Sequence, residues 1–376
     1  MPSINVHIYP SSFKNESRIE KQAVSISNMG IFDSVLLIGA GKGAWDLREG
    51  VSVRLLGSDN VLGTLSEKIK RFIGWYKSVY SYLKDKEVDC VNAHSLSVLP
   101  LAVALKFIKG AKLIYDPHEL ETETNGNFGA RRMLARLTER ILIRFSDHVF
   151  VVSHSISEFY SNTYGLKSVD VVLNAPNEVP LLNNDIFRDK FAIPKDTIIF
   201  LYQGVLSEGR GVELLLQTFS SLEGSPVCIV FMGYGPLVNE IKVRQKESKA
   251  IYYHPAVSPK MVHSHTSSAD IGLALIQDTC LSYSYCLPNK LFEYGMAGLP
   301  CIVSPLVEMS RYVNENKCGF ILEKVDQIAL TKIIEKVCNI DLSVFKKNAR
   351  AAALSHSWHK QELVLIQVYK KIFGGS

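Results

Sequence analysis

Short apolar, β-branched runs recur along the first half of the chain, each followed by a turn and then by helix-like periodicity: INVHIY, SVLLIG, SVRLLG, DCVNAH, KLIYD, HVFVVS and VDVVLN. This alternation predicts parallel strands joined by crossover helices. Between Asn174 and Lys190 the pattern breaks in NAPNEVPLLNNDIFRDK, whose two prolines and polar cluster read as an interdomain linker. Beyond it the pattern restarts with IIFLYQG, VELLLQTFSSL, VCIVFMGYG, AIYYHPAV, DIGLALI and PCIVS. The expected fold class is therefore α/β, with two Rossmann-like, doubly wound domains over 1–175 and 191–354, a linker over 176–190, and a C-terminal helix over 355–376 packing back on the first domain. In that helix Trp358, Leu363, Ile366 and Tyr369 or Ile372 share one face at helical spacing. Doubly wound sheets bind ligands outside the carboxyl ends of their strands, so the expected site is a cleft between the domains.

The 376 residues are 47% apolar and 21% charged, ample for a packed core and unlike a disordered chain. Two domains suit that length. A net charge of +5 is far below that of a chain dedicated to nucleic acid. The longest apolar candidate, LPLAVALKFI from Leu99, is too short to cross a bilayer. MPSINVHIYP has neither the basic nor the apolar region of a secretory leader, and the seven cysteines form no CxxC pair, so a reducing, cytosolic setting is the expectation.

Several segments invite a chemical reading. Gly39, Gly41 and Ala44 match GxGxxA after SVLLIG, but DLREGVSVRLLG runs on into another strand, which leaves no helix N-terminus for a pyrophosphate. There is no DxD triad to hold Mn²⁺ or Mg²⁺ beside a diphosphate, and His263 with His265, like His356 with His359, lacks cysteine or carboxylate partners at ligand spacing. No metal and no other cofactor is expected. In GVLSEGRG, Arg210 stands between two glycines just ahead of a helix starting near Val212, where backbone donors and a guanidinium can hold a diphosphate; a plain surface arginine in a glycine turn is the alternative. MGYGP brings a second glycine turn with Gly233 and Gly235 after a buried strand. In CLPNKLFEYGMAGLP, Glu293 sits one turn into a helix opened by Pro288 and Asn289, where a carboxylate can accept both hydroxyls of a ribose.

Together with SRIEKQAVSISNMG, LIYDPHELETE, SDHVFVVSHSI, VVLNAPN and ADIGLAL, these segments resemble the retaining glycosyltransferases of family 4, which have the GT-B fold, and the likeness runs over nearly the whole chain. The resemblance implies a nucleotide-sugar donor, UDP-linked by preference, held by Gly204, Arg210, Gly233, Tyr234, Gly235, Pro288, Asn289, Lys290, Leu291 and Glu293. Glu293 matches the second glutamate of the family's EX7E motif, and Arg210 the basic residue of its diphosphate turn. His118 matches a histidine that lies against the transferred sugar. His118, Arg210 and Lys290 are thereby expected to be catalytic, with Arg18 and Glu119 on the acceptor side. Tyr285 stands where the first EX7E glutamate falls, and Val205 where an arginine is usual; Lys290 belongs to a PxKxxE variant that supplies a cation. The implied activity is metal-independent, retaining sugar transfer onto a glycan or polyprenyl-diphosphate-linked acceptor in bacterial surface polysaccharide or lipopolysaccharide synthesis. A non-catalytic partner subunit, an epimerase and a phosphorylase are the alternatives.

Two segments concentrate the positive charge. SEKIKRFIGWYKSVYSYLKDK carries an excess of +4, and GARRMLARLTERILIRFSD an excess of +3, which leaves the rest of the chain slightly acidic. In the first, Ile69, Phe72, Ile73, Tyr76, Tyr80 and Leu83 share one face and Arg71, Trp75 and Tyr82 the opposite one. In the second, Arg132, Arg136, Arg140 and Arg144 lie along one side, with Leu134, Leu137, Ile141 and Phe145 along the other. Cationic faces bearing aromatics suit an anionic membrane surface, the inner face of the cell membrane here; ordinary solvated faces are the alternative.

Overall fold

A computed structural model describes residues 3–14, 16–57 and 64–374. The chain divides into two compact units, one formed by Met1–Leu173 with Gln361–Ser376, the other by Asn174–Lys360.

The apolar runs of the first unit become β1 (Ile4–Ile8), β2 (Ser34–Ala40), β3 (Gly43–Arg48), β4 (Val51–Leu56), β5 (Cys90–Ala93), β6 (Lys112–Tyr115), β7 (His148–Val151) and β8 (Val169–Val171). They form one sheet in the order β3-β4-β2-β1-β5-β6-β7-β8. Only β3 runs antiparallel to its neighbour: the Gly41–Gly43 turn reverses the chain after β2 instead of opening a helix, and the turn at Glu49 and Gly50 then returns it as β4, the hairpin partner of β3. The order reverses beside β1, which pairs with β2 on one side and β5 on the other. Such a reversal opens a crevice at the strand carboxyl ends, where ligands of these sheets bind.

The second unit contains β9 (Ile198–Val205), β10 (Val227–Tyr234), β11 (Ile251–Pro255), β12 (Ile271–Ala274), β13 (Cys301–Val303) and β14 (Gly319–Ile321), all parallel, in the order β11-β10-β9-β12-β13-β14. Its reversal lies between β9 and β12. Phe200, Tyr202, Phe219, Phe231 and Ile271 fill the core beneath. The segment over 176–190 belongs to this unit: it leads into the Ile186–Phe191 helix, whose Phe187 is buried against the rings of His254 and His265.

The terminal helix, Trp358–Phe373, begins in the second unit, where the Trp358 amide donates to the Pro176 carbonyl at 2.9 Å. It continues in the first, where Tyr369 donates to Asn92 Oδ1 at 2.7 Å and Ser25 to Glu362 at 2.8 Å. Its buried face runs through Gln361, Leu365, Val368 and Tyr369; Leu363, expected inside, is exposed.

Both basic helices depart from the sequence reading in the face they turn inward. In the Leu65–Leu83 helix Trp75, expected at a membrane surface, is buried and donates its indole N–H to the Gly39 carbonyl at 3.0 Å. Val79 and Leu83 join it inside, Arg71 is half-buried, and Ile69, Ile73 and Tyr80 face outward. The indole wins the inward position because it offers both a large apolar area and a donor for a strand-end carbonyl. In the Gly129–Leu142 helix the inward residue is Glu139, which accepts hydrogen bonds from the hydroxyls of Tyr115, Tyr160 and Tyr164. Turning that carboxylate inward leaves Leu134 64%, Leu137 53% and Ile141 45% exposed.

Candidate functional site

The second unit gathers its polar residues at the reversal between β9 and β12. Gly204 lies at the carboxyl end of β9 with φ +116°, and opposite it in register is Gly233 of β10. A Cβ on Gly233 would stand 1.8 Å from the Gly204 carbonyl oxygen, so only glycine lets these two strand ends come so close. Gly235 follows with φ +148° and Tyr234 is exposed between them. The sequence reading named all four, and the structure brings them to one strand-end corner.

Arg210 occupies the loop before the Val212–Ser221 helix, flanked by Gly209 and Gly211 at φ +75° and +80°. A Cβ on Gly211 would meet the Leu275 carbonyl at 2.3 Å, which locks the loop against the end of β12. The guanidinium carbon lies 5.6 Å from the Tyr283 ring centre.

The Asn289–Met296 helix, opened by Pro288, brings in Lys290, Leu291 and Glu293. The Lys290 ammonium lies 3.7 Å from the Tyr202 ring centre, in contact range of Gly204. Burial, with Arg210 nearby and Glu293 only partly compensating, pulls its pKa down to about 7. Glu293 accepts a hydrogen bond from the Gln203 side-chain amide, and Gln203 accepts in turn from Thr266 at 2.7 Å. Leu291 is buried and serves packing. Tyr285 caps the short Leu281–Ser284 helix in the same neighbourhood. Two cations and one carboxylate on glycine-lined strand ends can receive a dianionic diphosphate together with a hydroxyl-bearing group. Sequence reasoning missed Gln203, Thr266, Tyr202 and Tyr283; the one available signal was a polar Gln203 in an otherwise apolar strand run.

In the first unit the reversal beside β1 carries a second cluster. Asp116, just past β6, accepts from the Arg18 guanidinium at 2.5 and 3.1 Å and from Gln22 at 2.8 Å. Arg18, expected on the acceptor side, is 3% exposed and also donates to the Val172 carbonyl. Burial opposes ionisation of Asp116, yet Arg18 and His94 outweigh it and hold the carboxyl well below its ordinary range. His118 keeps about a fifth of its side chain exposed (21%) and lies tilted beside the Tyr9 ring, 5.2 Å between centres. Burial dominates its titration, with His94 and Arg18 adding to it against Asp116, and lowers its pKa to about 3, so it is neutral at pH 7. Glu119 is exposed.

The arginine stripe divides. Arg132 and Arg136 are both ion-paired to the buried carboxylate of Glu123, whereas Arg140 and Arg144 remain exposed. The expectation of four free cations is thereby corrected to two, because Glu123 has no other strong partner for its charge among the described residues. His263, His265 and His356 hydrogen-bond to backbone carbonyls.

Two family profiles match the chain side by side: "Glycosyltransferase Family 4" over residues 34–177 and "Glycosyl transferases group 1" over residues 183–352. A probable glycosyltransferase, WbjE of Pseudomonas aeruginosa, is 22% identical over 149 residues, a match that spans 39% of this chain and 37% of that relative. Among solved structures, sucrose-phosphate synthase from Thermosynechococcus elongatus aligns with a TM-score of 0.82 at 13% identity over the full length of both chains. Anabaena HepE in complex with UDP and glucose aligns at 0.72 and 12% identity, over 99% of this chain and 100% of that one. WaaG, a glycosyltransferase involved in lipopolysaccharide biosynthesis, aligns at 0.65 and 16% identity over 99% of each. At those identities the structures speak for the fold, and with the two profiles the conclusion is that this chain belongs to glycosyltransferase family 4 and has the GT-B fold.

Proposed function

We propose that the protein transfers a hexosyl or N-acetylhexosaminyl unit from a nucleoside diphosphate sugar, with retention and without a metal ion. The observation that carries this reading is the placement of Arg210, Lys290 and Glu293 around the glycine-lined ends of β9 and β10. Lys290 and Arg210 receive the diphosphate, Glu293 accepts from the ribose hydroxyls, and the cations stabilise the charge that grows as the sugar leaves. Uridine is the favoured base, since HepE was crystallised with UDP. WaaG, involved in lipopolysaccharide biosynthesis, supports a role in bacterial surface glycan synthesis, with a glycan or polyprenyl-diphosphate-linked acceptor.

The test is nucleotide release from a panel of UDP- and GDP-sugars, with and without EDTA. Release with a UDP-sugar that survives EDTA is expected; strict dependence on Mn²⁺ or Mg²⁺ overturns the metal-free mechanism. A folded protein that releases nucleotide from no donor is a non-catalytic partner subunit instead.

Lys290 adds a pH signature. Its amine is half-deprotonated near pH 7 in the free protein, and the diphosphate requires the ammonium, so binding above pH 7 must take up a proton. Donor affinity measured by calorimetry should fall about tenfold per pH unit above pH 7. In Lys290→Met the affinity should be weaker and the slope lost.

The protein is also proposed to rest on the inner face of the cell membrane through the Gly129–Leu142 helix. Its outward face joins Phe128, Met133, Leu134, Leu137 and Ile141 with the exposed Arg140 and Arg144, which have no ion pair among the described residues, a composition suited to an anionic interface. Replacing both arginines by glutamine removes about 2 kcal/mol of attraction, so sedimentation with anionic vesicles at low salt should weaken by roughly thirtyfold. A wild type that ignores such vesicles refutes the membrane reading.

A further inference from the structure

At the strand reversal of the first unit three histidines form a buried chain that the donor chemistry does not use. His7, on β1, lies with Nδ1 2.7 Å from His94 Nε2; His94 Nδ1 lies 3.1 Å from Asp116 Oδ2 and 3.2 Å from His118 Nε2. His7 and His94 have no exposed surface, and their ring planes lie within 13° of each other with centroids 5.0 Å apart, as an in-plane N–H···N bond requires. We infer that His94, with His7 behind it, is a positioning residue that holds His118 as the Nδ1–H tautomer, so that His118 meets its ligand as a hydrogen-bond donor and not as a base.

The assignment follows from the acceptor at one end. Asp116 is an ionised carboxylate that accepts every bond it makes, so the His94 nitrogen facing it carries a proton. The opposite tautomer would set a lone pair against the carboxylate. With Nδ1 protonated and the ring neutral, His94 Nε2 accepts, and His7 donates to it from Nδ1. That leaves the remaining His7 nitrogen, Nε2, as a bare acceptor, and that atom is indeed buried with no partner among the described residues. An imidazolium at His94 would reverse the His7 bond and bury an unpaired N–H there, the costlier arrangement. Burial also disfavours the charged form at both rings.

The same proton decides His118. Its Nε2 faces the N–H of His94, and Asp116 Oδ2 is 3.9 Å away, too far to take a bond from it. Two N–H groups cannot point at each other, so His118 Nε2 accepts and Nδ1 carries the proton. Every bond in the row then runs the same way, from His7 to His94 to His118, and ends in a donor at the half-open ring. His94, Asp116 and His118 could also be taken for a metal site. The guanidinium 2.5 Å from Asp116 argues against a second cation there, and metal ligation would need the nitrogen that the carboxylate keeps protonated.

If the ligand beside His118 is the transferred sugar, a point that rests on the proposed function, the donor selects sugars presenting an oxygen acceptor at that position. The experiment is long-range ¹H–¹⁵N correlation on the full chain labelled at histidine, at pH 7 and without ligand. The expected result is His118 with its proton on Nδ1, and loss of that single tautomer in His94→Phe. A proton on Nε2 of wild-type His118 overturns the inference, as does stoichiometric zinc in protein purified without chelator. The wild-type spectrum decides even if His94→Phe fails to fold. In nucleotide-release assays His118→Asn, whose amide N–H falls near Nδ1, should turn over at least tenfold faster than His118→Gln; equal rates count against the donor role. An Nδ1 proton with no nucleotide release from any donor would refute the transferase reading while leaving the histidine row intact.

Discussion

Arg210→Ala is expected to lower the rate of sugar transfer by about two to three orders of magnitude, with a smaller change in donor affinity. The guanidinium stands on a loop whose two flanking glycines hold left-handed backbone and whose second glycine is pressed against Leu275. That rigidity aims the charge before the reaction begins, so its stabilisation is greatest when the diphosphate leaves and its negative charge peaks. Lys290, held over the face of Tyr202 on another element, is a point charge already engaged with the bound diphosphate and cannot replace it. Arg210→Lys should recover only part of the rate, because an ammonium offers a point charge without the planar fork. Single-turnover nucleotide release at saturating donor checks this. An equal loss in affinity and in overall efficiency, with kcat unchanged, would make Arg210 a ground-state contact only.

The second large effect concerns stability. Arg18→Met should destabilise the first unit by about 3–5 kcal/mol at pH 7, since it leaves Asp116 as a buried carboxylate without its cation. Methionine fills much of the same volume, so the loss is mainly electrostatic. The sign with pH follows from the depressed carboxyl of Asp116. Its contribution in the wild type is complete above the unfolded pKa near 4 and is lost progressively below it, so the gap between wild type and variant should narrow on acidification. Chemical denaturation followed by tryptophan fluorescence, to which buried Trp75 of the same unit contributes, reads both quantities. A deficit under about 1 kcal/mol at pH 7 would mean that Gln22 and His94 suffice to hold the charge.

The chain by itself determined the two rounds of strand and helix, the glycine turns at Gly204, Gly233 and Gly235, and the placement of Arg210 and Glu293 at helix starts. These are local properties: apolar periodicity, backbone freedom and cap position act over a few residues and are written into a short stretch of sequence. It also showed that GxGxxA at Gly39 opens no helix, because the next strand follows too soon. Only the tertiary structure decided which face of each basic helix turned inward. In neither does apolar periodicity pick out the face that turns inward; an indole donor for Gly39 and three tyrosines for Glu139 made the choice. It likewise spent Arg132 and Arg136 on Glu123 and Arg18 on Asp116. The row of His7, His94 and His118 was illegible for the same reason. Its members come from β1, from the residue after β5 and from the loop after β6, and only pairing β1 with β5 and β5 with β6 sets the three rings against one another.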